Sequence, residues 1–234
     1  LGQKHKLDFN KNTPLSGGIY FFITLSLGIL LPKYNGLNLV FIFFLLLFLI
    51  LGIYSDLKPN FSAKKRLFLQ SIIVFLIIYF LDVKIYRTNI PIFDLLIDNY
   101  VLNLLFTFLC ILVFLNGSNF CDGVNCNVVG YYLLIFLAIN YSGLPTPYIY
   151  FDTNKIIVIF SIFYLFNLMG KFFLGDNGTY VISIFMSIYI IQFININDNI
   201  SALLAVNLLW YPAFENLFSI LRRIFSKKKI QAAD

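Results

Sequence analysis

Asn38-Leu39-Val40-Phe41-Ile42-Phe43-Phe44-Leu45-Leu46-Leu47-Phe48-Leu49-Ile50-Leu51-Gly52-Ile53-Tyr54 contains no charged side chain and only one amide, at its start. As a helix it rises about 25 Å and satisfies its own backbone, which is what a hydrocarbon layer demands of anything that crosses it. The rest of the chain has the same character. Of 234 residues, 60% are hydrophobic and 12% charged, against about half and a quarter in a soluble domain. A 27.1 kDa globule could not hide 28 Phe and 15 Tyr arranged in such runs. Soluble, disordered and disulfide-scaffold classes are excluded, leaving an all-α polytopic membrane bundle.

Apolar runs read against charge predict eight spans, at 16–31, 38–54, 67–81, 99–115, 127–142, 156–169, 179–194 and 200–216. Lys and Arg collect in cytoplasmic loops, so the two alternating sets of connecting segments can be compared. Segments 1–15, 55–66, 116–126, 170–178 and 217–234 hold thirteen of the 17 basic residues, and the opposite set holds four. The first set is therefore expected in the cytoplasm, with both ends of the chain. The net charge of +6 is accounted for by this topology and calls for no nucleic-acid partner. Cys110, Cys121 and Cys126 have neither disulfide-framework nor zinc spacing, and His5 is the one histidine. Cys110, inside an apolar run, is expected in the core.

Each internal loop on the basic side carries one acid: Asp56, Asp122 and Asp176. Asp122 and Asp176 stand in Asn119-Phe120-Cys121-Asp122-Gly123-Val124-Asn125 and Leu174-Gly175-Asp176-Asn177-Gly178-Thr179. Glycine lets backbone N–H groups approach an anion, and a neighbouring carboxylate can hold a hard cation, so the pattern points to a Mg²⁺-phosphate site. Asp and Gly are also the ordinary material of turns, so loop composition alone leaves both readings open.

The order and wording of these loops resemble the polyprenyl-phosphate N-acetylhexosamine-1-phosphate transferases, membrane enzymes that initiate bacterial envelope glycans. Thr13-Pro14-Leu15-Ser16-Gly17-Gly18 resembles the family's Pro-Arg-x-Gly-Gly. Gly52-Ile53-Tyr54-Ser55-Asp56-Leu57, followed by Ser62-Ala63-Lys64-Lys65-Arg66-Leu67 and Gln70, resembles Gly-x-x-Asp-Asp-Leu with its trailing Ser-Pro-Lys-x-Arg-Leu and Gln. Asn119 to Asn125 resembles Asn-x-x-Asp-Gly-x-Asn, and Lys171 to Gly178 resembles Lys-x-Phe-Leu-Gly-Asp-x-Gly. Pro212 to Arg223 is similar to a Pro-x-x-Asp helix ending in paired arginines, with Glu215 at the acid. Two departures stand out: Ser55 replaces the first acid of the family's Asp pair, and Cys126 stands where Gly is common. The Phe-Leu-Gly-Asp wording is closer to the undecaprenyl-phosphate N-acetylglucosamine-1-phosphate transferases of lipopolysaccharide, teichoic acid and O-antigen synthesis than to the phospho-N-acetylmuramoyl-pentapeptide transferase.

The resemblance implies a Mg²⁺-dependent transfer, with Mn²⁺ as a substitute, from a UDP-N-acetylhexosamine to polyprenyl phosphate at the cytoplasmic face of a bacterial inner membrane. It implies one membrane domain over residues 1–234, without the family's first helix and its C-terminal His-rich motif, and a homodimer. Asp176 is implied as first metal ligand. Asp56 and Asp122 are implied to complete the metal and nucleotide site or to take the proton of the lipid phosphate, their roles interchangeable at this level. Lys64, Arg66, Lys171, Asn119 and Asn125 are implied to bind substrate, although Lys64 and Arg66 serve equally as anchors of a positive-inside helix. Two other classes compete. A transporter would carry polar groups within its spans, and these spans are nearly free of charge. A catalytically inactive homologue that organises a glycan-synthesising complex would explain Ser55.

Overall fold

The computed structural model describes residues 13–30, 36–58, 60–147, 152–198 and 200–225. The chain ends, with His5 and Lys227 to Lys229, lie outside the described residues, and so does the expectation that both termini are cytoplasmic. Among the described residues there are nine helices: α1 (Gly17–Leu30), α2 (Gly36–Leu57), α3 (Ala63–Leu81), α4 (Pro91–Ile97), α5 (Tyr100–Cys121), α6 (Asn127–Tyr141), α7 (Thr153–Leu168), α8 (Gly175–Ile196) and α9 (Ala202–Phe225). The fold is all-helical, and each predicted span corresponds to one helix.

Among the described residues, three helices, covering Asn38–Leu57, Tyr100–Cys121 and Gly175–Ile196, are long and apolar enough to cross a membrane, and α1, α6 and α7 are shorter apolar helices. The unpredicted helix, α4, is a seven-residue turn between α3 and α5. Pro91 starts it, and Asp94 accepts hydrogen bonds from the Thr88 N–H (2.6 Å) and hydroxyl (2.7 Å). Polar caps also fix where the longer helices begin. Ser62 caps α3, Asn99 caps α5 through the N–H groups of Val101 and Leu102, and Asp152 caps α7 through that of Asn154, each satisfying donors that the helix cannot.

Helix α8 is the axis of the bundle. From Gly175 to Ile191 every residue is buried, and it packs against α1, α2 and α5. Its sequence explains this position: Gly175, Gly178, Thr179, Ser183 and Ser187 keep its flank slim enough for neighbouring backbones to approach. The hydroxyls of Thr179 and Ser187 turn back onto the carbonyls of Gly175 and Ser183, at 2.8 Å each. Large apolar side chains such as Ile19, Ile23, Phe43, Ile50 and Leu109 face outward, as lipid permits. Cys110 shares that outer surface and is exposed, which corrects its expected place in the core. In a helix apolar on all sides, hydropathy does not distinguish the lipid face from the packed one.

Gly52 lets α2 pack tightly against the start of α8, because a Cβ there would run into the Asn177 backbone. Gly52→Ala is therefore expected to destabilise the protein by about 2–3 kcal/mol, in the range of overpacked core sites. Thermal unfolding in detergent measures it, and a shift within error of wild type would refute the close packing.

Candidate active site

The basic-side ends of α1, α2, α3 and α8 meet, and the segments leading into α1 and α8 join them there. Leu15 and Phe173 form an isolated parallel bridge. The Phe173 N–H donates to the Pro14 carbonyl (3.1 Å), and the Gly17 N–H donates to the Phe173 carbonyl (3.2 Å). Two motifs separated by more than 150 residues of sequence thus run side by side. Gly175 then takes a φ of +70°, a left-handed turn suited to glycine, and the chain enters α8.

No local side chain caps α8, since Leu174 precedes it without a capping hydrogen bond. The cap comes from α2. Asp56, in the last turn of that helix, accepts from the Asp176 N–H on Oδ1 (3.0 Å) and from the Asn177 N–H on Oδ2 (3.1 Å). The same Oδ2 accepts from Asn177 Nδ2 at 2.6 Å. An anion over the first N–H groups of a helix is favoured both by the unpaired donors and by the helix dipole. Asn177 locks the arrangement, its Nδ2 also donating to the Leu15 carbonyl (3.2 Å) and its Oδ1 accepting from the Gly18 N–H (2.6 Å). This amide orientation alone serves all three partners. One Asp and one Asn therefore tie together α1, α2 and α8.

Asp176 points to the other side of the α8 terminus. Its side chain is 7% exposed and Oδ2 accepts from Arg66 Nη1 at 2.9 Å, Arg66 being 26% exposed. Ser55 donates its hydroxyl to the same Oδ2 (2.5 Å) and accepts from Arg66 Nη1 (3.3 Å). The serine that replaces a family acid is thus the hydroxyl partner of Asp176, buried at 5% exposure. One helical turn further in lie Tyr180, four residues after Asp176, and Gln70, four after Arg66. The Tyr180 hydroxyl and both ends of the Gln70 amide are buried without a hydrogen-bond partner.

Of the sequence-derived candidates, Asp56, Asp176 and Arg66 come together. Asp122 terminates α5, and Asn119 before it is half-buried while Asn125 beyond it is exposed. Among the described residues, no three Asp, Glu, His or Cys side chains converge into a metal-holding group, so Asp122 does not join Asp56 and Asp176 in one. Lys64 is exposed on the first turn of α3. Lys171 is exposed as well, its ammonium 5.6 Å from the centre of the Phe166 ring. Asp56 and Asp176 also belong to helix ends, where loops were expected. Both helices extend by several residues because tertiary hydrogen bonds replace the solvent that would otherwise fray them.

Three participants lie beyond the sequence candidates: Ser55, Asn177 and Asn167. Asn167, 2% exposed at the end of α7, accepts from the Cys126 N–H (2.7 Å) and donates to the Phe172 carbonyl (2.6 Å). It thereby fastens the Asp122 loop to the segment that leads into Asp176. Asn177 was adjacent to a chosen residue and its amide was the available signal, whereas Asn167 sits in an apolar run that gave no signal at all.

No curated protein matches the chain. The family model of glycosyl transferase family 4 matches residues 38–194, which begins with α2 and ends in α8, taking in Ser55, Asp56, Arg66, Asp122 and Asp176. With two thirds of the 234 residues matched on an all-helical bundle with membrane-spanning helices, the chain belongs to glycosyl transferase family 4, whose members transfer a sugar phosphate to polyprenyl phosphate.

Proposed function

We propose that the protein transfers an N-acetylhexosamine-1-phosphate from a UDP-sugar to polyprenyl phosphate, giving polyprenyl-diphospho-sugar and UMP at the start of envelope-polysaccharide synthesis. In this reading it acts in the bacterial cytoplasmic membrane, with the Asp56–Asp176 end facing the cytoplasm. The observation that carries it is Asp176 held rigidly at the α8 terminus with Arg66 against it. A carboxylate and a guanidinium side by side are what a diphosphate requires when its charge must be met by both a cation and a fixed donor.

The two acids differ in fit. Both oxygens of Asp56 already face N–H donors, the surroundings of an anion cap. Asp176 Oδ2 meets the Arg66 guanidinium and the Ser55 hydroxyl, and both can reorient. We therefore assign Asp176 as the Mg²⁺ ligand and Asp56 as the group that orients it. Mg²⁺ is commonly held by one or two carboxylates plus substrate phosphates, and when bound it neutralises and aligns the transferring phosphoryl group. Arg66 binds phosphate oxygen. Asp122, tied to the Asp176 segment through Asn167, is assigned to the nucleotide or to the proton of the lipid phosphate. Asn119, Asn125, Lys64 and Lys171 are assigned to the rim that meets the substrates. The lipid reaches the site laterally between outward-facing apolar helices, and a homodimer is part of the same reading.

The test is release of UMP from UDP-N-acetylglucosamine by the full-length protein in detergent with polyprenyl phosphate. Release is expected to require both lipid and Mg²⁺, with Mn²⁺ able to replace it, and a panel of UDP-sugars identifies the donor. Nucleotide binding without turnover across the panel would support the inactive homologue. Ser55 argues against that outcome, because its hydroxyl preserves a partner for Asp176 at the position of the missing acid.

A further inference from the structure

The Arg66–Asp176 pair occupies both groups that the transferase reading needs for substrate. Arg66 is the more exposed partner, at 26% against 7%, and sits at the end of a flexible side chain. Asp176 is fixed by a backbone pinned to Asp56. A diphosphate arriving at this end would compete with one carboxylate for the guanidinium, and its greater charge favours the exchange. When Arg66 leaves, Ser55 Oγ loses the donor at 3.3 Å and Asp176 Oδ2 loses the donor at 2.9 Å. Both are buried, and an unmatched buried acceptor is costly.

The replacement donor is already in place. Helices α3 and α8 both start at the basic-side end and descend in the same direction, so four residues along either helix leads to the same depth. Tyr180 occupies that depth on α8, fully buried, and its hydroxyl has no hydrogen-bond partner. Its hydroxyl lies close beside Ser55 and within electrostatic reach of Asp176 and Arg66, yet it meets no partner in hydrogen-bonding geometry. Gln70 lies at the same depth on α3, equally buried and unpartnered. Buried polar groups are seldom left unpaired. Two together, beneath a single exchangeable ion pair, fit a site with a second hydrogen-bonded state.

We propose that Tyr180 is a positioning residue: when Arg66 moves to the substrate diphosphate, the Tyr180 O–H donates to Ser55 Oγ, and Ser55 continues to donate to Asp176 Oδ2. The aspartate thereby keeps its orientation while its guanidinium partner is engaged elsewhere. This rests on the transferase reading given above, and it concerns a residue that contacts no substrate.

The experiment compares wild type with Tyr180→Phe as full-length proteins in detergent, with Mg²⁺ present. Binding of UDP-N-acetylglucosamine is followed by calorimetry and thermal unfolding is measured without nucleotide. Loss of one hydrogen bond that exists only in the occupied state is expected to weaken nucleotide binding about tenfold and to leave the nucleotide-free melting temperature unchanged or raised. Ser55→Ala, which removes the acceptor, is expected to weaken binding as well, and Tyr180→Phe added to it should have no further effect. If Tyr180→Phe does not fold, Gln70→Leu and Ser55→Ala carry the comparison. Nucleotide-free stability is then expected to hold or rise with Gln70→Leu, and nucleotide affinity to fall with Ser55→Ala. Equal nucleotide affinity of Tyr180→Phe and wild type, or additive effects with Ser55→Ala, overturns the role of Tyr180 alone. Failure of wild type to bind any UDP-sugar or UDP overturns the transferase reading with it.

Discussion

Asp176→Asn is expected to reduce transfer by at least about a thousandfold, the scale of removing a group that organises charge at a phosphoryl centre, while the protein remains folded. The geometry explains why the two effects separate. Asn keeps one side-chain oxygen, able to accept from Ser55 or Arg66 as Asp176 Oδ2 now does. The backbone N–H of residue 176 remains bonded to Asp56. Because the lost ion pair involves a partly exposed arginine, its removal is expected to cost only about 1 kcal/mol of stability. UMP release, measured beside thermal unfolding in detergent, checks both halves. Wild-type turnover in the variant would remove Asp176 from the role of metal ligand.

Asp56→Ala is expected to fail differently. Truncation leaves the N–H groups of residues 176 and 177 without their acceptor and the Asn177 amide with the Leu15 carbonyl but no carboxylate, in a buried setting where each lost partner is costly. Stability is expected to fall by about 2–4 kcal/mol, above a solvent-exposed helix cap because three donors depend on one carboxylate. Transfer is expected to fall by about a hundredfold or more, since Asp176 is the second residue of the helix that loses its cap. Asp56→Asn, which retains one acceptor oxygen, should lie between Ala and wild type in both measurements. If Asp56 were instead a metal ligand and not a cap, Asp56→Ala would raise the Mg²⁺ concentration needed for half-maximal rate with no loss of thermal stability. The pair of measurements therefore distinguishes a cap from a ligand.

Much of this arrangement was legible in the residues. Asp56 and Asp176 stood out as the single acids of their basic-side loops, Asp176 also for its Gly- and Asn-rich surroundings, and Arg66 because it followed Asp56 on the same side. Their relationship was not legible. Asp56 and Asp176 lie 120 positions apart, and the hydrogen bond between them depends on how closely α2 and α8 pack at Gly52. Ser55 appeared only as a missing carboxylate until its hydroxyl was found on Asp176. Asn167 and Tyr180 lie in runs dominated by apolar residues, where a single polar side chain says nothing about which way it faces.

Local physics accounts for what the sequence determined alone. Long uncharged runs require helices in lipid, the distribution of Lys and Arg sorts the loops by side, and Gly, Asn and Asp mark where the helices end. Those are properties of segments, readable one stretch at a time. The inward and outward faces of helices that are apolar all round were decided only by the tertiary structure, as Cys110 on the outside and the burial of α8 from Gly175 to Ile191 illustrate. So was the division of labour between two similar acids. A carboxylate's role depends on the donors that other helices bring to it. Three N–H groups converge on Asp56, whereas Arg66 and Ser55 meet Asp176.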